Sequence, residues 1–107
     1  MPEDRPKEFY VYITACKARG VLYVGMSSDL TERARQHRER LLGGFTKRYW
    51  VDRLVYYERH DRADVAARRE RTLKRWRRDW KIELVERHNP TWADLFEQVV
   101  HEAGFEP

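Results

Sequence analysis

"LYVGMSSDLTERARQH", residues Leu22 to His37, is the stretch whose reading decides the fold. It begins as a β-strand, breaks at Gly25, and restarts as a helix at Ser28 or Asp29. Asp29 and Glu32 stand in capping-box spacing, so a helix is expected over roughly 29–41, stopped by "GG" at 43–44. Positions 30, 34, 37 and 41 fall on one stripe of that helix, at spacings of four, three and four. Leu30, Ala34 and Leu41 make the stripe apolar, His37 interrupts it, and Arg33 lies at its edge. A lone histidine on an apolar face is commonly a hydrogen-bonded core residue. The other reading is that the stripe floors a site.

Upstream, "FYVYITA" (9–15) alternates and is rich in β-branched and aromatic residues, the pattern of a strand. "CKARG" is a turn, and "VLYVG" (21–25) is a second strand, so the two form a hairpin. Tyr10, Tyr12 and Thr14 point to one face of the first strand, and Phe9, Val11 and Ile13 to the other. With a two- or four-residue loop, Tyr12 and Tyr23 would face each other. Downstream, "FTKRYW" reads as a basic, aromatic loop and "RLVYYE" (53–58) as a third strand. Asp61 caps a long helix over about 62–78. "WKIELVERH" is apolar at 80, 82, 84 and 85, a pattern shared by helix and strand. Helix is the better reading, because Asn89-Pro90 follows and stops it. Thr91 caps a last helix, "WADLFEQVV". The order ββαβααα implies an α+β domain, a small antiparallel sheet packed by helices. Residues 1–8 read as a flexible N-terminal arm, 9–101 as a single domain and 102–107 as a short tail.

On the long helix, positions 63, 66, 70, 73 and 77 share a face. Ala63, Ala66 and Leu73 make it apolar, and Glu70 interrupts it. A carboxylate buried without a partner costs several kcal/mol, so it must pair with a cation or hold a metal. Lys74 at i+4 and Arg77 two turns on are the candidate partners.

The composition sets the outer limits. A chain of 107 residues is one small domain with a modest core. A single cysteine, Cys16, allows neither an internal disulfide nor a cysteine metal cluster and favours a reducing, cytoplasmic setting. No apolar run approaches the roughly 20 residues of a membrane span, and the N-terminus lacks a signal peptide's apolar core. The net charge is +4, and arginine outnumbers lysine by 17 to 5. Arginine forks onto phosphates, which fits a nucleic-acid partner, although a base composition favouring arginine codons gives the same bias.

Taken together, "YVY" at 10–12, "YVG" at 23–25, an arginine eight residues past the glycine and a histidine four further on resemble the GIY-YIG endonuclease superfamily. Tyr12 and Tyr23 match the tyrosines of the two half-motifs. Arg33 and His37 match the helix residues that follow, Glu70 the glutamate of the later helix, and Asn89 the asparagine near the domain's end. "FTKRY", "LVYYE" and "NPTWADL" look most like the small stand-alone bacterial members. Tyr10 stands where the first half-motif has glycine, a larger residue that narrows access.

The resemblance implies a three-stranded antiparallel sheet flanked by helices. It implies a metal-dependent endonuclease that hydrolyses phosphodiester bonds of DNA, including branched or damaged structures met in repair or recombination. One divalent cation, Mg²⁺ or Mn²⁺, would be held by Glu70 with waters and substrate phosphate. Arg33 would neutralise the phosphate. Tyr12 would orient or deprotonate the attacking water, His37 would activate it or relay the proton, and Tyr23 would position water or phosphate. Asn89 would support the site by hydrogen bonds. Lys47, Arg48 and Lys74 would grip the nucleic-acid backbone. With no appended DNA-binding domain, specificity would come from the basic surface or a protein partner, and the oligomeric state stays open. Two other readings remain: a nucleic-acid-binding module of this fold without turnover, and an interaction protein in which Glu70 is merely paired and His37 merely buried.

Overall fold

A computed structural model describes residues 8–39, 51 and 53–102, with the side chains of all but 37, 38, 101 and 102. Along these residues run β1 (Phe9–Ala15), β2 (Leu22–Ser27), α1 (Leu30–Arg38), β3 (Arg53–His60), α2 (Ala63–Arg75), α3 (Arg78–His88) and α4 (Phe96–Glu102). The strands make one antiparallel sheet in the order β2-β1-β3. The helix stop at 43–44, the loop with Lys47 and Arg48, Leu41, the arm residues 1–7 and the tail residues 103–107 lie outside the described residues.

β1 is central and covered on both faces, so Val11 through Ala15 are all buried. Its alternation sorts the molecule into two cores. Val11, Ile13 and Ala15, with Val24 of β2, pack against Ala66 and Leu73 of α2 and Leu84 and Val85 of α3. On the other face, Tyr12 packs with Leu30 and Ala34 of α1, Leu54 of β3 and Val99 of α4. Each large apolar side chain fully buried in this way contributes about 1.5–3 kcal/mol. The register slips between Ile13 and Thr14, where Val55 is inserted into β3. Val55 and Tyr56 therefore both serve the α2/α3 core, while Leu54 and Tyr57 serve the other.

The order ββαβααα holds, and several local expectations give way to tertiary contacts. The hairpin pairs Ala15 with Leu22, so its connection is residues 16–21, longer than the two- or four-residue loop expected. Arg19 supplies a left-handed residue (φ 56°) in it. The helix expected over 62–78 stops at Arg75, because Trp76 and Arg77 are both extended. Trp76 turns back onto the core, and α3 restarts along β3. Asp61 does not cap α2; Arg62 occupies the N-cap without a side-chain bond, and Ala63 is exposed. Thr91 does not cap the last helix, which starts at Phe96. There Asp94 Oδ1 accepts from the Phe96 N–H at 3.1 Å. For α1, half of the capping box forms: Asp29 Oδ1 accepts from the Glu32 N–H at 3.1 Å, while the Glu32 carboxylate turns to Arg35.

Candidate active site

The site is built from the pairing of β1 and β2. Tyr12 lies opposite Gly25, and Tyr23 opposite Thr14. The two tyrosines are thus diagonal neighbours on one face, not the directly facing pair expected from the sequence. Their ring centres are 6.4 Å apart at 45°. A Cβ on Gly25 would stand 2.5 Å from Tyr12 Oη, 2.6 Å from its Cζ and 3.0 Å from Tyr23 Cε2. The bare glycine is what lets the Tyr12 phenol lie across the edge strand. Tyr10 leans the other way. Its hydroxyl donates to Glu8 Oε1 at 2.6 Å and its ring meets Tyr57 edge-on, 6.2 Å between centres, so its bulk sits on the β3 side.

The surroundings of Tyr12 tie the remaining residues together. Only 1% of Tyr12 is exposed. Burial pushes its hydroxyl up to about 12, and Tyr23 adds to the rise. The Arg33 guanidinium opposes it by charge and by a side-chain hydrogen bond, and the Glu70 carboxylate raises it further. Arg33 comes from α1, on the same face as the tyrosines. Glu70 comes from α2, which covers the other face and packs along the edge strand β2. The two helices bring opposite charges to one phenol from opposite sides of the sheet.

Glu70 is partly exposed (21%) and pairs with Lys74 Nζ at 3.1 Å; Lys74 is half exposed. Arg77, the other expected partner, pairs instead with Asp79 at 3.5 Å. An i,i+4 pair of this exposure contributes only about 0.3–0.5 kcal/mol, so a stronger cation displaces it readily. Among the described residues no cluster of three or more His, Cys, Asp or Glu is poised for a metal. One accessible carboxylate beside a place for phosphate suits a hard, well-hydrated cation, which takes one or two carboxylates plus waters and phosphate.

Asn89 is bonded to backbone on both sides. Its Nδ2 donates to the carbonyls of Val55 (3.0 Å) and Ala93 (2.9 Å), and its Oδ1 accepts from the Ala93 N–H at 3.1 Å. With both amide protons engaged by backbone, this 6%-exposed residue locks the end of α3 to β3 and to the turn into α4. It is a frame residue, in keeping with the hydrogen-bonding role expected of it. His37 falls within α1, one turn after Arg33, and its side chain lies outside the described residues, as do Lys47 and Arg48. Sequence reasoning took Gly25 as the break that ends the strand and as a letter of the motif, whereas β2 runs through it to Ser27. A glycine inside a strand pattern is itself a signal of close approach, and here it decides where the phenol lies.

A family model described as the GIY-YIG catalytic domain matches residues 8–83. Relatives that match the chain carry the name UPF0213 protein. The one from Staphylococcus saprophyticus is 34% identical over 76 residues, covering 71% of this chain and 92% of the relative. That of Haloquadratum walsbyi is 32% identical over 77 residues (72% and 85%), and that of Clostridium perfringens 32% over 76 (71% and 81%). No solved structure matches the chain.

Proposed function

Because this chain belongs to the GIY-YIG catalytic-domain family, a family of nucleases that are generally dependent on divalent metal, we propose that it is an endonuclease using Mg²⁺ or Mn²⁺ to hydrolyse phosphodiester bonds of DNA. The observation that carries this reading is the Tyr12 hydroxyl under the joint influence of Tyr23, Arg33 and Glu70. Phosphoryl transfer needs charge placed against the phosphoryl oxygens and a positioned nucleophile, and little else from the protein. Arg33 binds a phosphoryl oxygen by two-point contact. Glu70 holds the cation, which supplies positive charge at the phosphate when bound. Tyr12 is neutral at pH 7 and orients the attacking water, with Tyr23 holding the other side. His37 accepts the proton. Lys74, released from Glu70, moves to the backbone phosphate, and Lys47 and Arg48 grip the strand further out. A role at branched or damaged DNA, in the cytoplasm, fits the small basic domain. Among the described residues no helix is long and apolar enough to cross a membrane.

The test is a nicking assay on plasmid, branched, single-stranded and RNA substrates with Mg²⁺ or Mn²⁺, beside Glu70→Ala and Tyr12→Phe. Metal-dependent cleavage that falls at least about a hundredfold in both folded variants is the expected result. Equal cleavage by all three proteins would expose a contaminant. Salt-sensitive binding without cleavage would identify a binding module instead.

A further inference from the structure

Charge in this chain is concentrated. Residues 68–81 carry eight basic and two acidic side chains, against a net charge of +4 for the whole chain, so the remainder is net negative. The same segment holds Trp76 and Trp80 and spans the break between α2 and α3. The two indoles meet edge to face, 5.8 Å between centres at 87°. Each is backed by a guanidinium: Arg69 lies 5.3 Å from the Trp76 ring centre and Arg77 4.7 Å from that of Trp80. Trp80 is 44% exposed, the one large hydrophobic so exposed among the described residues.

Beside the pair lies a cavity of about 180 Å³ lined by Trp76, Trp80, Glu83, Leu84 and Arg87. Its walls are aromatic and its floor, Leu84, is buried. Its polar groups are one anion and one cation, Glu83 Oε2 and Arg87 Nη2, 3.8 Å apart. That donor–acceptor pair beside a π-surface matches the edge and face of a nucleobase. Arg71, Lys74, Arg75 and Arg77 of the same segment are all exposed, Lys74 and Arg77 in ion pairs with Glu70 and Asp79. The Arg78 guanidinium instead donates to the carbonyls of Arg19 and Gly20 and holds the hairpin turn. Beyond Trp80 lies an open trough of mixed charge, where Asp79, Glu83 and Glu86 stand among Arg19 and Arg87.

We propose that the Trp76–Trp80 pocket takes one unstacked nucleobase of a single-stranded segment, with Arg71, Lys74, Arg75 and Arg77 following its phosphates. The inference rests on the nuclease reading and specifies its substrate as a nucleic acid with an unpaired nucleotide near the scissile phosphate. The spacing supports this. α2 rises about 1.5 Å per residue, so its end lies roughly 8 Å beyond Glu70, and Trp76 follows at once.

The test is metal-free binding, by fluorescence anisotropy, of a short labelled single strand and the duplex of the same sequence. Trp80→Ala is expected to weaken single-strand binding by roughly five- to a hundredfold, the loss of one base stack. Trp80→Phe should retain most of it, and duplex binding should change less than about twofold. A strand carrying abasic sites tests the same point on wild-type protein and should bind as weakly as the intact strand binds Trp80→Ala. Equal losses on strand and duplex, or abasic binding as tight as intact, would overturn the pocket. Tighter binding of the RNA strand with the same Trp80 dependence supports the pocket and assigns the strand as RNA. Strand binding without cleavage under any metal sinks the nuclease reading and leaves the pocket standing. Cleavage indifferent to Trp80 and to abasic sites does the reverse.

Discussion

In the proposed reaction Tyr12 takes part as a neutral phenol. With its hydroxyl pushed up to about 12, only about one molecule in 10⁵ is ionised at pH 7. The proton acceptor must titrate lower, as an unperturbed histidine does near 6.5. At saturating Mg²⁺, cleavage should therefore rise through about pH 6.5 and stay flat to pH 9, with the acid limb absent in His37→Ala. A rate that keeps climbing tenfold per unit to pH 9, and stops climbing in Tyr12→Phe, would make the tyrosine itself the base. Gly25 governs the same hydroxyl sterically. In Gly25→Ala the new methyl meets both Oη and Cζ well inside contact distance, so the ring must move. A displacement near 1 Å at a reacting group costs about a hundredfold in turnover. The comparison that isolates this is the double variant with Tyr12→Phe, which should be no slower than Tyr12→Phe alone. Additive losses would show that Gly25 acts elsewhere.

Between elements, the corner at Asn89 does the joining. Its amide ties α3 to β3 and to the segment where Trp92 adopts φ 59°; Trp92 in turn donates to Glu86, which receives Arg19 from the hairpin. Asn89→Ala leaves two carbonyls and one N–H unmet in a buried place, and should cost about 2–3 kcal/mol in urea unfolding. Turnover per folded molecule should change less than about twofold, because no reacting group is touched. A hundredfold loss in a stably folded Asn89→Ala would give it a part in the reaction itself. The strands were legible because β1 alternates and its two faces feed two cores, so period two is written plainly in "FYVYITA". The end of α3 was legible from Asn89-Pro90. The break at Trp76–Arg77 was not, since "RWRR" holds neither glycine nor proline and the chain turns there to return Trp76 to the core. The same limit applies to the site. Motif spacing singled out Tyr12, Tyr23, Arg33 and Glu70, but the diagonal pairing and the reason for Gly25 depend on hairpin register, which the turn length sets.

At the scale of the whole molecule, the sheet separates two kinds of polar cluster. The catalytic candidates gather on the β2 edge. On β3, at the opposite edge, Glu58 takes Arg69 Nε at 2.8 Å, the Tyr56 hydroxyl, and His60 Nε2 at 3.0 Å. Burial acts to raise the Glu58 carboxyl, yet the hydrogen bonds from Arg69, Tyr56 and His60 outweigh it and hold it below the ordinary value. Tyr56 moves the other way, raised by burial and then by Glu58, and Tyr12 is raised by its own burial. The signs fix a stability window. A lowered carboxylate gives stability present above its unfolded pKa, about 4.3, and lost as the pH falls through the lower folded value. A raised phenol gives stability present below about pH 10 and lost as the pH climbs toward the folded value. Thermal melts should therefore be flattest between about pH 5 and 10, with a limb on each side. Glu58→Gln should shrink the acid limb and Tyr56→Phe the alkaline one, each lowering the plateau because a partner of Arg69 or of Glu58 is lost. If both variants trace curves parallel to wild type at every pH, the β3 cluster does not link protonation to folding. The acid limb would then belong to the surface carboxylates on the helices.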